Sequence, residues 1–391
     1  MKKRNVMSRD EPSRPPWTPG QSPGPRPPWI WSAALLLVFG AAAASPIEIK
    51  DLIREAVSIP SALGNEEALG AKILSYLPKG AAERDNLGSV YARFGSGGSK
   101  IALLAPLDEY GWFVSGMTAD GYLRLDRSAQ PQPNFDNYLL GHPVVISTQK
   151  GLLYGVVSQP AMHLITRERR EELRNLSLDL VYVDIGVRSE EDARRKGVEY
   201  LDPVTLWPEL SVLANDRWAG LSLGQKSSCA LLLGLVEELG KAKLSQEVAL
   251  VWMAQSKYPT RSGGARSSLG AIRAKRTIQP KLAILVDGVP ADRGEKSPAL
   301  GKGPVLVLPK EGAPKLKEAI EAVAREAKIS LQYQTGAESA LLNGLVGDGT
   351  EALLLAIPVK FAQTPSEVVD LKDVLALKTL LLRLVQSGRV K

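Results

Sequence analysis

Four apolar runs constrain the fold more than any other feature: KIALLAPL (Lys100–Leu107), EVALVWM (Glu247–Met253), KLAILV (Lys281–Val286) and ALLLAIPV (Ala352–Val359). Runs this short and this apolar read as strands buried on both faces of a sheet. Stretches of helical spacing lie around them: IEIKDLIREAVSIPS, SSCALLLGLVEELGKA, PKLKEAIEAVAREAKI and DLKDVLALKTLLLRLVQS. Strands alternating with helices predict an α/β layered sheet. From about residue 111 to 208 the texture differs. GYLRLD, HPVVIST, GLLYGVVSQ and LDLVYVDIG are separated by turn signals, which predicts a small all-β unit. The expected organisation is one α/β domain built from 46–110 and 209–391, with a β domain of 111–208 inserted into it. A chain of 391 residues is long enough for both cores.

The amino-terminal end has its own character. Residues 1–28 are proline-rich and carry Lys2, Lys3, Arg4, Arg9, Arg14 and Arg26 against only Asp10 and Glu11. More than half of the chain's net charge of +7 sits there, and no basic run with interleaved aromatics follows, so a nucleic-acid partner is not expected. The uncharged apolar run Trp29–Ser45 comes next, ending in Ala42-Ala43-Ala44. A basic head before a short apolar segment and small residues predicts an export signal. The tail 1–28 is then cytoplasmic and disordered. Segment 29–45 is either cleaved or kept as an anchor in the inner membrane, and the rest is periplasmic or extracellular.

Cysteine and histidine are scarce. Cys229 is the single cysteine, which excludes an internal disulfide and a cysteine-based zinc site, and its helical surroundings predict a packed side chain. The two histidines, His142 and His163, both fall in the β unit, away from the ends of the apolar strands.

In order along the chain, PLDEYGWFV, QPAMHLITRERR, LDLVYVDIGVRSEEDARRKGV, GQKSSCALLLGLVEEL, AQSKYPTRSGGARSS, LVDGVP with LGKGPVLV, and IPVKFAQTPSEVVDLKD form a series. The series resembles the tetrahedral di-zinc aminopeptidases, the glutamyl and deblocking aminopeptidases, from about Ile47 to Val390. The resemblance implies a three-layer, zinc-peptidase-like domain with a mixed sheet, and an inserted β-barrel of the kind that forms dimers. It also implies a homo-oligomer.

That family's chemistry uses two zinc ions bridged by a carboxylate, and a glutamate that takes a proton from the attacking water. Carried over by position, a metal histidine falls on Pro106 and the bridging aspartate on Gly224. The catalytic glutamate falls on Ser256, a metal glutamate on Lys257 and the last histidine on Gln363. Asp287 alone keeps a metal-ligand type. Asp108, which supports the first histidine in the family, is retained. Asp216, in NDRWAG, imitates the bridging motif but lies too early in the chain. The resemblance therefore implies no catalytic residue at the degenerate positions Ser256 and Lys257, and no metal.

Lys257 adds a fixed positive charge where a divalent ion would sit. Unit charges at about 4 Å interact by about 4 kcal/mol at an effective dielectric of 20, and a divalent ion meets roughly twice that. The expected arrangement pairs the Lys257 ammonium with Asp287. Asp108, Lys257 and Gln363 are the expected substrate contacts.

The function these residues favour is an exported, catalytically inactive relative that binds peptides or serves as an assembly subunit, its partners being peptides or an active relative. One alternative is an active metallo-aminopeptidase with displaced ligands among Asp108, Asp216, Asp287, Asp292 and Glu338, zinc then being its cofactor. A second is a metal-independent hydrolase using Ser256 with Lys257 or Lys226. Neighbours on a strand point to opposite faces, which counts against the Ser256–Lys257 pairing.

Overall fold

The apolar runs lie at the centre of an eight-stranded mixed sheet. Its order is Ala82–Arg84, Val90–Phe94, Glu247–Met253, Lys100–Pro106, Leu282–Pro290, Glu351–Val359, Val305–Leu308, Gln332–Thr335. The four central strands run parallel to one another, and antiparallel pairing enters only on either side of them. Alternation along each strand divides the core in two. Ile101, Leu103 and Ala105 pack with helices Ile49–Ser58, Leu223–Leu233, Pro314–Glu326 and Leu371–Gln386. Ala102 and Leu104 face Leu269–Ile278 and Ala340–Leu345 on the other side. Helices on both faces make the three layers, as the sequence predicts. This computed structural model describes residues 48–97, 100–129, 135–157, 163–174, 177–262, 265–294, 297–308, 313–335 and 339–390. The export segment Trp29–Ser45 and Glu338 lie outside them. Among the described residues no helix is long and apolar enough to cross a membrane.

Six strands between Trp112 and Leu206 close into a barrel. Trp112, Val114, Leu125, Ile146, Val183 and Val204 fill it. Trp112 stacks on Phe135 at 5.0 Å between ring centroids and donates its Nε1–H to Asp136 at 2.8 Å. Two helices, Arg167–Arg174 and Glu190–Lys196, interrupt what reads from sequence as an all-β unit. The second has legible end signals: Ser189 caps it by accepting from the Asp192 N–H, and Gly197 ends it at φ 98°. LDLVYVDIG yields a 3₁₀ turn and only a two-residue strand, Val183–Asp184. SSCALLLGLVEELGKA, expected as one helix, divides at Gly234 into Leu223–Leu233 and Val236–Lys241.

Candidate functional site

The carboxyl ends of parallel strands are where open α/β sheets place their ligand crevices. Here the Lys100–Pro106 and Leu282–Pro290 strands pair only as far as Leu104 and Leu285. Beyond that point the two strands no longer bond each other, and a cleft of about 640 Å³ opens. Gly224, Gln225, Ser256, Lys257, Asp287, Gln363 and Glu367 line it, with Tyr110, Tyr258 and Arg266. The structure thus brings Gly224, Ser256, Lys257, Asp287 and Gln363 together. Asp216 is not among them: it is exposed on a turn, 4.0 Å from Lys50. Asp292 is exposed as well. His142 and His163 are exposed in the segment that carries the barrel.

Lys257 is fixed by the backbone around it. Asp108 is wholly buried, and its two carboxylate oxygens accept the N–H groups of Ser256 (2.7 Å) and Lys257 (2.6 Å). The turn after the Glu247–Met253 strand is therefore clamped to the neighbouring strand end. The Lys257 ammonium donates back to the Asp108 carbonyl and to Gln225 Oε1 at 2.6 Å, and stands 5.2 Å from the centre of the Tyr110 ring. Asp108 accepts a backbone N–H on each oxygen and so holds Lys257 in place. One expectation is corrected here. Lys257 forms no ion pair with Asp287; that carboxylate accepts the N–H of its neighbour Gly288 at 2.8 Å.

Electrostatics still couple the two. Burial pulls the Lys257 ammonium down, but Asp108, Tyr110, Asp287 and Glu109 together outweigh it and hold the pKa above the ordinary lysine value. Burial pushes Asp287 up, and Lys257 and the Gly288 N–H pull it part of the way back.

Glu367 is a site residue that the sequence reading missed. It accepts the N–H of Gly224 at 2.9 Å and of Gln363 at 2.7 Å, tying the helix start to the loop that carries Gln363. Burial pushes its carboxyl up to about 7 against those two hydrogen bonds. A signal was present, since it is the sole carboxylate between Glu351 and Asp370.

Behind the floor lies a second, sealed cluster. The Lys226 ammonium donates to Ile59 O at 2.8 Å and Ser61 Oγ at 2.6 Å, and sits 3.7 Å from Glu109 Oε1. Glu109 in turn accepts the Ser61 N–H at 2.7 Å. Lys226 and Ser61 are wholly buried, so no substrate reaches this Ser–Lys pair. Ser256 Oγ has no hydrogen-bond partner, so neither lysine is positioned to take its proton.

A pair of zinc ions does not fit these residues. Pro106 offers no donor, and its carbonyl accepts from Cys229 Sγ at 3.0 Å. That cysteine is packed and buried, which raises its thiol pKa to about 12. A Cβ on Gly224 would stand 2.6 Å from Val359 Cγ2 and 3.2 Å from Gly288 Cα, so the position expected for the bridging carboxylate is filled by packing. Among the described residues, no group of three or more His, Cys, Asp or Glu side chains is placed to hold a metal.

Comparisons with known proteins agree with this architecture. The chain is 26% identical over 336 residues to the lysyl aminopeptidase of Pyrococcus furiosus, covering 83% of this chain and 93% of that one. The TET1 peptidase of Pyrococcus horikoshii, described as assembling into a tetrahedron or a large octahedral shell, superposes with a TM-score of 0.74 at 22% identity, over 86% of this chain and 99% of that one. Aminopeptidase APDkam598 of Desulfurococcus kamchatkensis gives a TM-score of 0.74 at 23% identity, over 87% and 95%. The family model of the M42 glutamyl aminopeptidases matches residues 88–380, well over half of the sequence. With this match, the fold and the series of motifs, the chain belongs to the M42 glutamyl aminopeptidase family.

Proposed function

We propose that this chain is a non-catalytic member of the M42 family that holds peptides in its cleft. The observation that carries the proposal is the Lys257 ammonium, lodged between the Asp108 carbonyl and Gln225 at a position where the family resemblance implies a metal-binding glutamate. The Gly224–Gly288–Val359 contact supports it, because no carboxylate enters there without displacing a buried valine. Self-association goes with this reading. A solved relative is described as forming closed shells, and the Gly151–Val157 barrel strand presents Leu152, Tyr154 and Val156 to solvent, Tyr154 lying against Trp207. Export belongs to the proposal too, on the strength of the basic head and the Trp29–Ser45 run. The test is zinc content measured together with release of amino-terminal residues by the purified chain. The proposal expects neither; turnover that depends on bound zinc would refute it.

An active metallo-aminopeptidase is the second reading. It is favoured by the match to lysyl aminopeptidase over 83% of the chain and by the two carboxylates, Asp287 and Glu367, that the cleft retains. Zinc is its expected cofactor, and the same assay decides between the two.

A further inference from the structure

Successive backbone N–H groups, from Ala254 to Lys257, are all taken by side chains. Ala254 donates to Ser89 Oγ at 3.1 Å, Gln255 to Glu66 Oε1 at 2.9 Å, Ser256 to Asp108 Oδ1 at 2.7 Å and Lys257 to Asp108 Oδ2 at 2.6 Å. The acceptors lie in separate segments, each far earlier in the chain. Buried N–H groups must find acceptors, but two of these three side chains are carboxylates, which make the stronger, charge-assisted bonds. Gln255 stands at φ 51°, a left-handed conformation that its Cβ disfavours. That conformation helps to aim consecutive N–H groups at anionic acceptors.

Glu66 neither lines the cleft nor serves its own helix. It occupies the N-cap of the helix Glu67–Tyr76 but makes no capping bond there, and glutamate is not a residue that this position favours. Its Oε1 accepts instead from Gly64, at 3.1 Å, and from Gln255. Glu66 is 4% exposed, and burial, followed by the Asp108 charge, pushes its carboxyl up to about 7. Keeping two buried carboxylates beside one turn is unfavourable, and what they share is the hold on that turn. Glu66 and Gln255 line a separate pocket of about 380 Å³, whereas Ser256 and Lys257 line the cleft. The backbone of Gln255–Lys257 is therefore the connection between Glu66 and a ligand in the cleft. Without the Glu66 bond, Gln255 is free to relax to a right-handed conformation. Ser256 and Lys257 then shift, and the Lys257 ammonium leaves its seat between the Asp108 carbonyl and Gln225.

We infer that Glu66 is a positioning residue for the cleft: together with Asp108 it fixes the Gln255–Lys257 turn, and so the place of the Lys257 ammonium, without touching the ligand. Its bearing on a ligand rests on the peptide-holding reading above. Amide hydrogen exchange and equilibrium binding of Ala-Ala-Ala are measured on the full chain and its variants. In Glu66→Ala the Ser256 and Lys257 amides are expected to exchange about tenfold faster, with Leu250 and Val251 in the preceding strand unchanged. Ala-Ala-Ala is expected to bind it about threefold more weakly. Glu66→Asp, which withdraws the oxygen by one methylene and spares more of the packing, moves both values the same way by a smaller factor. Glu66→Gln keeps an accepting oxygen in place and restores both. Glu67→Ala removes a carboxylate that lines the same pocket but is exposed and paired with Arg84, and it changes neither. Faster exchange in Glu66→Ala with no binding of Ala-Ala-Ala even by the wild type defeats the peptide-holding reading and still supports the placing of Lys257 by Glu66. Unchanged exchange in Glu66→Ala and Glu66→Asp, acceleration that extends equally to Val251, no rescue by Glu66→Gln, an equal effect of Glu67→Ala, or wild-type affinity despite faster exchange overturns the inference.

Discussion

Two lysines stand on either side of the Asp108–Glu109 strand end, and their surroundings differ. Lys226, behind, is sealed: it has no solvent exposure, it bonds Ile59 and Ser61, and its counter-charge Glu109 is equally buried. Lys257, in front, is bonded as fully but lines a cleft, beside a second carboxylate that it does not touch. Both use a backbone carbonyl and one side-chain oxygen. The difference lies in access, and access separates a residue that holds the fold from one that meets a ligand.

The largest effect is expected behind the floor. Lys226→Met leaves Glu109 buried without its cation, and removing one member of a buried pair costs about 3–5 kcal/mol. Chemical denaturation of the variant measures this. Lys226→Met combined with Glu109→Leu should recover much of the loss, and a failure to recover would mean that packing, not charge, dominates there. Next is the floor itself. Gly224→Asp restores the residue type that the family resemblance implies, but its Cβ meets Val359 at 2.6 Å and Gly288 at 3.2 Å. Overpacking of this kind costs about 1–3 kcal/mol, and no gain in zinc affinity is expected by calorimetry. A stable, zinc-binding Gly224→Asp would break the contrast between a filled floor and a vacant one.

A smaller effect concerns pH. Glu367 titrates near 7 in the folded chain against an ordinary value of 4.5, so the folded state holds its proton longer than the unfolded chain does. Its contribution is neutral below about 4.5, turns unfavourable as pH rises from there to about 7, and is constant above. Glu66, raised by burial to about 7, and Asp373, raised by burial to about 6, act in the same direction. Stability from these groups therefore falls between about pH 4 and 7. Glu367→Gln should flatten the slope, as measured by denaturation at several pH values. An unchanged slope would place the linkage at Glu66 and Asp373.

How far the sequence foretells these features depends on where the causes lie. The central strands are legible because burial on both faces leaves little room for polar residues. Their carboxyl ends are legible as a site because parallel strands deliver Ser256, Lys257, Asp287 and Gln363 to one edge. A small all-β unit follows from turn spacing, its closure into a barrel was implied by the resemblance alone, and its helix Glu190–Lys196 was there to be read in Ser189 and Gly197. What sequence spacing does not reveal is which neighbour a polar atom takes. Nothing local to Asp108 announces that its carboxylate accepts two backbone N–H groups from the turn after a strand far along the chain. Lys257 looks like the partner of Asp287 until Gln225 intervenes. The closure of the Gly224 position depends on three residues from three separate elements meeting at van der Waals distance, and no local pattern encodes that.

The account turns on a lysine having taken over the floor of the cleft. Equilibrium dialysis of the purified chain against zinc, with the bound metal counted per chain, addresses this directly. The prediction is no stoichiometric zinc in the wild type and no release of amino-terminal residues at any zinc concentration. Two zinc ions retained per chain, lost on Asp287→Ala and accompanied by turnover, would contradict it.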